Sequence, residues 1–324
     1  MNTNTPLVSI CMPAYNAAAY IDETIRSILD QTYAPIELII VNDGSIDGTD
    51  KVLMKYAGKP NIKIIHTVNR GQCAAANKAY EQATGEYIKF FDADDIMNPE
   101  HIEAQVKRVI DRPNCIAAAQ VKRFYNDDLS TALHEPLGNW RDLKPVDWLV
   151  IDNAKGLGMM GACMFLIPRQ ILEASGLWNE RLSLINDYEF SPRFLLRAEM
   201  ILFTPDAKMF YRSGLIGSLS VSYSRERLVS AFEALVSTEA LLLSYENSER
   251  VRAALSHMWH LWMYQFYLDA MDLYRKGREH LRGLGNVPDT YYKNAPGRVM
   301  RLVGWKNHKR LKRIAGRLKN FFHL

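Results

Sequence analysis

The chain has 324 residues, of which 48% are hydrophobic, so it is long and apolar enough for one large folded domain and a smaller one. No cationic segment precedes an apolar run at the start, and no uninterrupted apolar stretch of about 18 residues occurs, so we expect neither a secretory signal nor a membrane span. The four cysteines lie far apart without metal-ligand spacing, which predicts reduced core thiols. These features predict a cytoplasmic protein, or one that is peripheral on the cytoplasmic face of a membrane.

Charge is distributed unevenly along the chain. The formal net charge is +4, but no acidic residue follows Asp289, whereas ten lysine and arginine residues do. The body of the chain is therefore net acidic, and its C-terminal segment is strongly basic. Two regions of opposite charge need not share a binding partner.

Strand-like apolar runs alternate with helical patterns over the first 124 residues. Continuous Val, Ile and Leu runs are typical of strands buried on both faces, and β-α alternation is typical of a parallel sheet covered by helices. Ligands of such sheets bind beyond the carboxyl ends of the strands. The predicted strands are 7–12, 36–41, 62–66, 86–91 and 116–124, and the predicted helices are 19–31, 49–56, 71–84 and 99–111.

Polar segments at 13–16, 42–45 and 92–95 each follow a predicted strand, so they should share one rim of the sheet. The last of them is Asp92-Ala93-Asp94-Asp95. Three carboxylates within four residues repel one another, and a divalent cation such as Mg²⁺ or Mn²⁺ offsets that repulsion. An isolated run of this kind is also typical of a solvated acidic turn before a helix. The shared rim favours the metal site.

Four ordered motifs resemble those of the inverting family 2 glycosyltransferases, which have the nucleotide-diphospho-sugar transferase (GT-A) fold. The resemblance is close up to Asp95, looser up to Ser220, and does not cover the last hundred residues. It implies an α/β fold with a mixed, mainly parallel sheet, helices on both faces and a C-terminal helical extension. The motifs are residues 8–16 (VSICMPAYN), 37–49 (ELIIVNDGSIDGT), 69–77 with 83–88 (NRGQCAAAN and ATGEYI), and the acidic turn.

The resemblance also implies the domain organisation. Residues 1–220 would form the glycosyltransferase domain, with a nucleotide-binding half at 1–124 and an acceptor half at 125–220. Residues 221–324 would form a helical extension that ends in a basic amphipathic tail at 298–324.

A bound nucleotide accounts for the residue types on the rim. Tyr15 can stack on a base or hold the turn, and Gly44 lets the backbone approach a ligand closely. The resemblance implies that Asp43 accepts a hydrogen bond from uracil, with helix capping as the alternative. Arg70 precedes a helix and can meet the diphosphate or stay solvated. The predicted nucleotide-binding residues are Pro13, Ala14, Tyr15, Asn16, Asp43, Gly44, Arg70, Asp92 and Ala93.

For the acidic turn, the resemblance assigns Asp92 to the ribose and Asp94 to the metal, with Asp95 supporting either. Mn²⁺ or Mg²⁺ would bridge the diphosphate and stabilise the charge that develops on the departing nucleotide. Many relatives place a further metal or diphosphate ligand, a histidine, near residues 211–220. Because this segment has no histidine, we expect Arg212 and Ser218 to supply supporting diphosphate contacts.

An inverting transfer also needs a base that takes the proton from the attacking hydroxyl. Residues 178–190 (WNERLSLINDYEF) resemble the family segment that carries this base, and Asp187 falls on its position. Asn186 replaces the usual glutamate of that segment. Glu189 is the alternative base, and a solvated acid on a surface helix is the alternative interpretation of Asp187.

The basic tail predicts an amphipathic helix. From Lys309 onward, apolar residues recur at helical spacing with lysines and arginines between them. This pattern favours docking on an anionic membrane surface, and packing of the apolar stripe on the protein body is the alternative. Nucleic-acid binding is not expected, because no recognisable nucleic-acid module accompanies the tail.

Together these features predict a metal-dependent inverting glycosyltransferase. It would transfer a sugar from a nucleotide-diphospho-sugar, expected to be a UDP-sugar, to a hydroxyl of a glycan or lipid-linked acceptor. A nucleotidyltransferase is one alternative, but it normally has a Gly- and Arg-rich phosphate loop where this chain has Pro13-Ala14-Tyr15-Asn16. A catalytically silent, membrane-associated scaffold that binds sugar nucleotides is the other.

Overall fold

The computed structural model describes residues 5–133, 138–154, 160–215, 223–285, 287–288 and 298–321. The chain divides into two compact units. The first, here called the sheet unit, comprises Met1–Trp148 and Met160–Ser222, and the second, the helical unit, comprises Leu149–Met159 and Tyr223–Leu324.

The described part of the sheet unit contains one nine-stranded mixed sheet in the order β3-β2-β1-β4-β8-β6-β9-β5, with β7 paired to β6. The first four strands are mutually parallel, and Val8 lies opposite both Ile36 and Tyr87. The strands are β1 Val8–Ala14, β2 Ile36–Asp43, β3 Ile62–Thr67, β4 Tyr87–Phe90, β5 Ile96–Met97, β6 Cys115–Tyr125, β7 Asp128–Leu133, β8 Phe165–Pro168 and β9 Met200–Ser213.

Helices cover the sheet and contribute to its core. Ile21, Ile25 and Ile28 recur at helical spacing, and all three are buried against the sheet. The helices of this unit are α1 Ile21–Leu29, α2 Thr49–Leu53, α3 Gln72–Tyr80, α4 His101–Val109, α6 Arg169–Ser175 and α7 Asn186–Leu195, while α5 Pro145–Asn153 runs across the sequence boundary between the units. The predicted α/β class is confirmed, and each strand and helix predicted up to residue 124 is present within a few residues of its expected bounds.

The second half of the sheet differs from the predicted continuation. Antiparallel β8 lies between β4 and β6, so the fifth predicted strand does not pair with the fourth. We also did not predict the 14-residue strand β9, which contains Pro205. A proline removes a ladder donor, and the β6–β9 register shifts there, from Ala119 opposite Thr204 to Gln120 opposite Lys208. Pro205 and the bulge thus interrupt the regular apolar pattern from which a strand is predicted.

The described part of the helical unit contains α8 Arg225–Tyr245, α9 Glu249–Phe266, α10 Met271–Gly283, α11 Arg298–Val303 and α12 Trp305–Phe321. Ser248 caps α9 by accepting a hydrogen bond from the Val251 amide. Trp259 and Phe266 are fully buried, so these aromatic side chains pack the core.

Among the described helices, only α8 is long and apolar enough to meet the length and composition criteria for crossing a membrane, criteria that a core helix of a soluble protein also meets. We expected no uninterrupted apolar stretch of that length, and Glu233 and Glu239 do interrupt this one. Leu235 and Leu242 of α8 are buried, and Glu239 accepts hydrogen bonds from Trp259 and His280.

Gly85→Ala should destabilise the sheet unit at the entry to β4. A Cβ atom at residue 85 would lie 2.6 Å from the Leu7 carbonyl oxygen and 2.7 Å from the Ser9 amide nitrogen, and both are backbone atoms with little freedom to move. Such overpacking costs about 1–3 kcal/mol. The free energy of unfolding should fall by that amount in urea titrations followed by circular dichroism. In Gly283→Ala, where nothing lies within 4 Å of the added Cβ, stability should stay the same or rise slightly. Equal stability of both variants would contradict the prediction.

Candidate active site

The loops that follow β1 and β2 are hydrogen-bonded to each other. The Asn16 amide donates to Ser45 Oγ over 2.9 Å, and Asn16 Oδ1 accepts from the Ile46 amide over 2.9 Å. Asn16 has a positive φ of 50°, which asparagine adopts more readily than most residues. Two segments that we predicted to share one rim are therefore joined directly. Tyr15 lies at this rim with 48% of its surface exposed, so its ring is accessible to a ligand.

Gly44 is required by a close backbone approach. Its φ is +72°, and a Cβ at this position would lie 2.8 Å from the Asn69 amide nitrogen. The glycine therefore lets the loop after β3 pack tightly against the end of β2.

Asp43 holds that same loop. Its buried carboxylate accepts hydrogen bonds from Thr67 Oγ1 at 3.1 Å, the Arg70 amide at 3.0 Å and the Gly71 amide at 2.8 Å. The Arg70 guanidinium is exposed and pairs with Glu180 at 3.0 Å. The contacts of Asp43 thus position the segment before α3, and contact of Asp43 and Arg70 with a nucleotide stays a prediction.

The acidic turn follows β4 and is largely buried. Gln72 Nε2 donates to Asp92 Oδ1 at 3.0 Å, and the Arg212 amide donates to Asp95 Oδ1 at 2.9 Å. Asp95 Oδ2 is buried and has no hydrogen-bond partner among the described residues. Burial, followed by the charges of Asp94 and Asp187, raises the pKa of Asp92 to about 7. Burial and the neighbouring aspartates also raise the pKa of Asp95 well above its ordinary value.

Asp92, Asp95 and Cys163 form a group of potential metal ligands. One ligand atom from each lies within 4.8 Å of the others, and no other such group occurs in the described ranges. Asp94, the residue predicted to bind the metal, is not a member of this group. Burial raises the pKa of Asp94 as well, although the Arg212 charge opposes that shift.

Arg212 does not have the exposed position that we expected for a diphosphate ligand. Its side chain is 1% exposed, Nε donates to the Asp94 carbonyl at 2.8 Å, Nη2 pairs with Glu23 at 2.6 Å, and Nη1 pairs with Asp127. The guanidinium also lies over the rings of Tyr20 and Phe124, at 4.8 and 4.7 Å. Its burial and these contacts favour a role in holding the acidic turn. Ser218, its predicted companion, lies outside the described residues.

Asp187 lies in the first turn of α7, two residues after Ile185, whose φ is +49°. Its Oδ1 accepts a hydrogen bond from the Ala162 amide at 2.9 Å. Burial raises the pKa of Asp187 to about 6, and the bond from Ala162 limits that shift. Asp187 is half-buried and its pKa is raised by burial, so its surroundings do not favour the alternative of a solvated surface acid.

Glu189, the alternative base, is already paired. Its carboxylate binds Arg193 at 2.9 Å, and Arg193 in turn donates to the carbonyls of Ser175 and Leu177. Glu189 therefore holds the start of α7 against the segment after α6, and its contacts do not favour catalysis.

One cavity brings the predicted rim and the predicted base together. Asp92 and Asp187 both line it, with Pro13 of the first motif. Its lining residues are Pro13, Gln72, Ala76, Phe90, Phe91, Asp92, Ala162, Cys163, Trp178 and Asp187. Tyr15, Asp43, Arg70 and Asp94 do not line this cavity.

Two residues that support this cavity were not predicted. Gln72 donates to Asp92 and accepts a longer hydrogen bond of 3.4 Å from Asn186, which connects the acidic turn to the start of α7. Lys89 is fully buried and donates to the Cys163 carbonyl at 2.8 Å, and burial lowers its pKa to about 7. The one available signal for Lys89 was a lysine inside an otherwise apolar strand.

Comparison with known proteins settles the family. The family model described as "Glycosyl transferase family 2" matches residues 9–175, which are 167 of the 324 residues. The chain belongs to glycosyl transferase family 2. The predicted family is thus confirmed, and the match covers the rim, the acidic turn and Cys163, though not Asp187 or residues 223–324 of the helical unit.

The chain is similar to several bacterial glycosyltransferases. An uncharacterised glycosyltransferase of Rickettsia felis is 34% identical over 194 residues, which are 58% of this chain and 31% of that protein. EpsH of Bacillus subtilis, a proposed glycosyltransferase, is 29% identical over 247 residues, 75% of this chain and 71% of its own length. This chain spans 31% and 60% of the Rickettsia felis and Rickettsia typhi relatives, respectively.

Among solved structures, the chain resembles Staphylococcus aureus TarS residues 1–349 in complex with UDP-GlcNAc. The TM-score is 0.60 at 17% sequence identity, with 86% of this chain and 91% of that chain covered. At this identity the likeness concerns the fold alone, and it confirms the predicted GT-A class.

Arg212→Met and Arg70→Met should separate a structural arginine from an exposed one. Arg212→Met should lower the free energy of unfolding by about 3 kcal/mol, at the lower end for a broken buried ion pair, because Glu23 and Asp127 stay partly exposed. Arg70→Met should change stability by less than about 0.5 kcal/mol, since its guanidinium is exposed. Urea titration of both variants measures this difference. A fully stable Arg212→Met variant with weakened nucleotide binding would restore the diphosphate role.

Proposed function

We propose that the protein is a metal-dependent inverting glycosyltransferase that transfers a sugar from a UDP-sugar to a hydroxyl of a glycan or lipid-linked acceptor. The observation that carries this proposal is the cavity lined by both Asp92 and Asp187. An acid at the predicted donor side and an acid at the predicted base position thus face one enclosed space. Family membership supports glycosyl transfer and gives no support to the nucleotidyltransferase alternative.

The proposed donor is a nucleotide-diphospho-sugar. TarS structures that share this fold contain UDP-GlcNAc and UDP. In this chain the joined loops after β1 and β2 present exposed Tyr15 beside the ends of the strands, where sheets of this type bind ligands. A base stacked on Tyr15 would direct the diphosphate toward the acidic turn.

The residues at the acidic turn fit a divalent cation. Burial and then neighbouring acids raise the pKa of Asp92 and of Asp95. One buried oxygen of Asp95 lacks a partner among the described residues, and Asp92, Asp95 and Cys163 place ligand atoms close together. Asp92 and Asp95 would hold the ion, with Asp94 beside them as the ligand that the family resemblance implies. Carboxylates suit both Mg²⁺ and Mn²⁺. When bound, the ion would neutralise negative charge on the diphosphate.

Asp187 would act as the general base. With a pKa of about 6 it is ionised at neutral pH, yet it is more basic than an exposed aspartate. Its Oδ2 can take the acceptor proton while Ala162 fixes Oδ1. The acceptor oxygen then bonds to the anomeric carbon as the bond from that carbon to the diphosphate oxygen breaks. Nucleoside diphosphate leaves from the opposite face, so the configuration of the sugar inverts.

Asp187→Asn should lower kcat by a factor of about 10²–10⁴, which is the usual contribution of a positioned base. Asparagine keeps the hydrogen bond from Ala162 but cannot take a proton, so UDP should still bind. Transfer or donor hydrolysis and UDP binding are the measurements. Glu189→Gln, the matched control, should lower stability by breaking the Arg193 pair while keeping most of kcat. Unchanged kcat in Asp187→Asn would contradict the assignment, and no turnover with any donor would favour the silent scaffold.

The pH dependence of the wild-type enzyme tests the same role. Asp187 must be ionised to accept a proton, so kcat/KM should fall as the pH drops below about 6. The fall should be about tenfold per pH unit for a single group. A profile that stays flat to pH 4.5 would mean that Asp187 is not the base.

Asp92→Asn should remove the response to metal while stabilising the metal-free protein. Asparagine can still accept the Gln72 hydrogen bond but no longer repels Asp94 and Asp187. In the wild type, UDP with Mn²⁺ should raise Tm by several degrees more than UDP with a chelator, since binding at 100-fold Kd adds about 2.7 kcal/mol. Thermal-shift assays with Mn²⁺, Mg²⁺ or chelator measure this. Asp50→Asn, an exposed acid on α2, should behave as the wild type. An Asp92→Asn variant with the full Mn²⁺ response would overturn the metal assignment.

A further inference from the structure

Helix α12 is fixed to the helical unit along one face. Trp305 packs against Tyr267, with ring centroids 5.4 Å apart, and against Tyr264 at 6.1 Å. Lys309 Nζ donates to the Tyr264 carbonyl at 2.6 Å and pairs with Asp269 at 2.6 Å. These contacts dock Trp305 and Lys309 on the C-terminal end of α9 and the segment that follows it.

Apolar side chains of α12 face away from that contact. Leu311 and Ile314 are 50% and 55% exposed. At 3.6 residues per turn they lie about 160° and 140° around the helix from Lys309. In the preceding α11, Leu302 is 84% exposed. Leu311 and Ile314 therefore do not pack on the protein body, which was the alternative interpretation of the apolar stripe. Leu311 and Ile314 are here called the apolar tail face.

Cations flank this face on both sides. Arg310 and Lys312 are exposed and lie about 100° to either side of Leu311 on the helix. No acidic residue follows Asp289 in the sequence, so no carboxylate of α11 or α12 opposes them. The helix is also held in place before any partner arrives, so docking would not have to order it.

We propose that the apolar tail face, with Arg310 and Lys312, docks on an anionic lipid surface. Leucine and isoleucine side chains between two cations match the boundary between lipid headgroups and acyl chains. The apolar groups enter that boundary while the cations stay at the phosphates. A nucleic acid would satisfy the cations but would leave Leu311 and Ile314 without an apolar partner. The docking proposal does not depend on the proposed function, although it suits a lipid-linked acceptor.

The test is co-sedimentation of the full chain with vesicles of phosphatidylcholine alone or mixed with phosphatidylglycerol. The wild type should bind the mixed vesicles and not the neutral ones. Leu311→Ser/Ile314→Ser should weaken binding by about tenfold or more, because two aliphatic side chains that enter the lipid are lost. Arg310→Gln and Lys312→Gln should each weaken it by about fivefold, and added salt should reduce those two effects. Met54→Ser, which changes a 69% exposed apolar side chain in the sheet unit, should bind as the wild type.

The substituted side chains are exposed, so circular dichroism and Tm should match the wild type in every variant. Equal binding to neutral and anionic vesicles would overturn the proposal, and so would full binding by Leu311→Ser/Ile314→Ser. Absence of vesicle binding by the wild type would also overturn it. So would a wild-type dimer that this double variant converts to a monomer, since the face would then be an interface between copies of the chain. Sedimentation velocity reads that outcome.

Discussion

The cost of burying three carboxylates at one strand end is the constraint on which the sheet unit depends. Asp92, Asp94 and Asp95 follow a strand whose residues are all buried, and burial raises the pKa of each. The chain offsets part of this cost with donors from distant elements, Gln72 on α3 and Arg212 on β9. The pairing of β5 with β9, in which Ile96 lies opposite Phe210, places Arg212 in contact with the acidic turn. The compensation is incomplete, because one buried oxygen of Asp95 has no hydrogen-bond partner in the described part of the chain.

Because the negative charge at the turn is not fully compensated, binding of the metal and binding of the diphosphate donor should depend on each other. A diphosphate is itself anionic, so it would be repelled from a cavity that already holds Asp92 and Asp187. A divalent cation at the turn would reverse the sign of the local field and make diphosphate binding favourable. On this view metal and donor bind together, and the chain alone need not hold either of them tightly. Asp187 is held by a different contact, because the Ala162 amide donates to its Oδ1.

Buried basic residues serve different purposes in this chain. Lys89 holds the Cys163 carbonyl, and Cys163 follows the residue whose amide binds Asp187, so a strand next to the acidic turn supports the proposed base. Arg212 stabilises the turn itself. In the tail, Lys309 is committed to carbonyls and Asp269, while Arg310 and Lys312 are exposed. The position of each cation around the helix therefore decides whether it holds the fold or is available to a partner.

The sequence by itself determined the family, the alternation of strands and helices up to residue 124, and the rim that residues 13–16, 42–45 and 92–95 share. These follow from local periodicity and from the rule that parallel strands end at one edge. Only the tertiary structure decided the rest. Pro205 concealed β9, and antiparallel β8 entered the sheet where a parallel neighbour was expected. Arg212, Glu189 and Lys89 took structural roles, because the partners of a buried charge come from elements far apart in the chain, and sequence spacing carries no record of them.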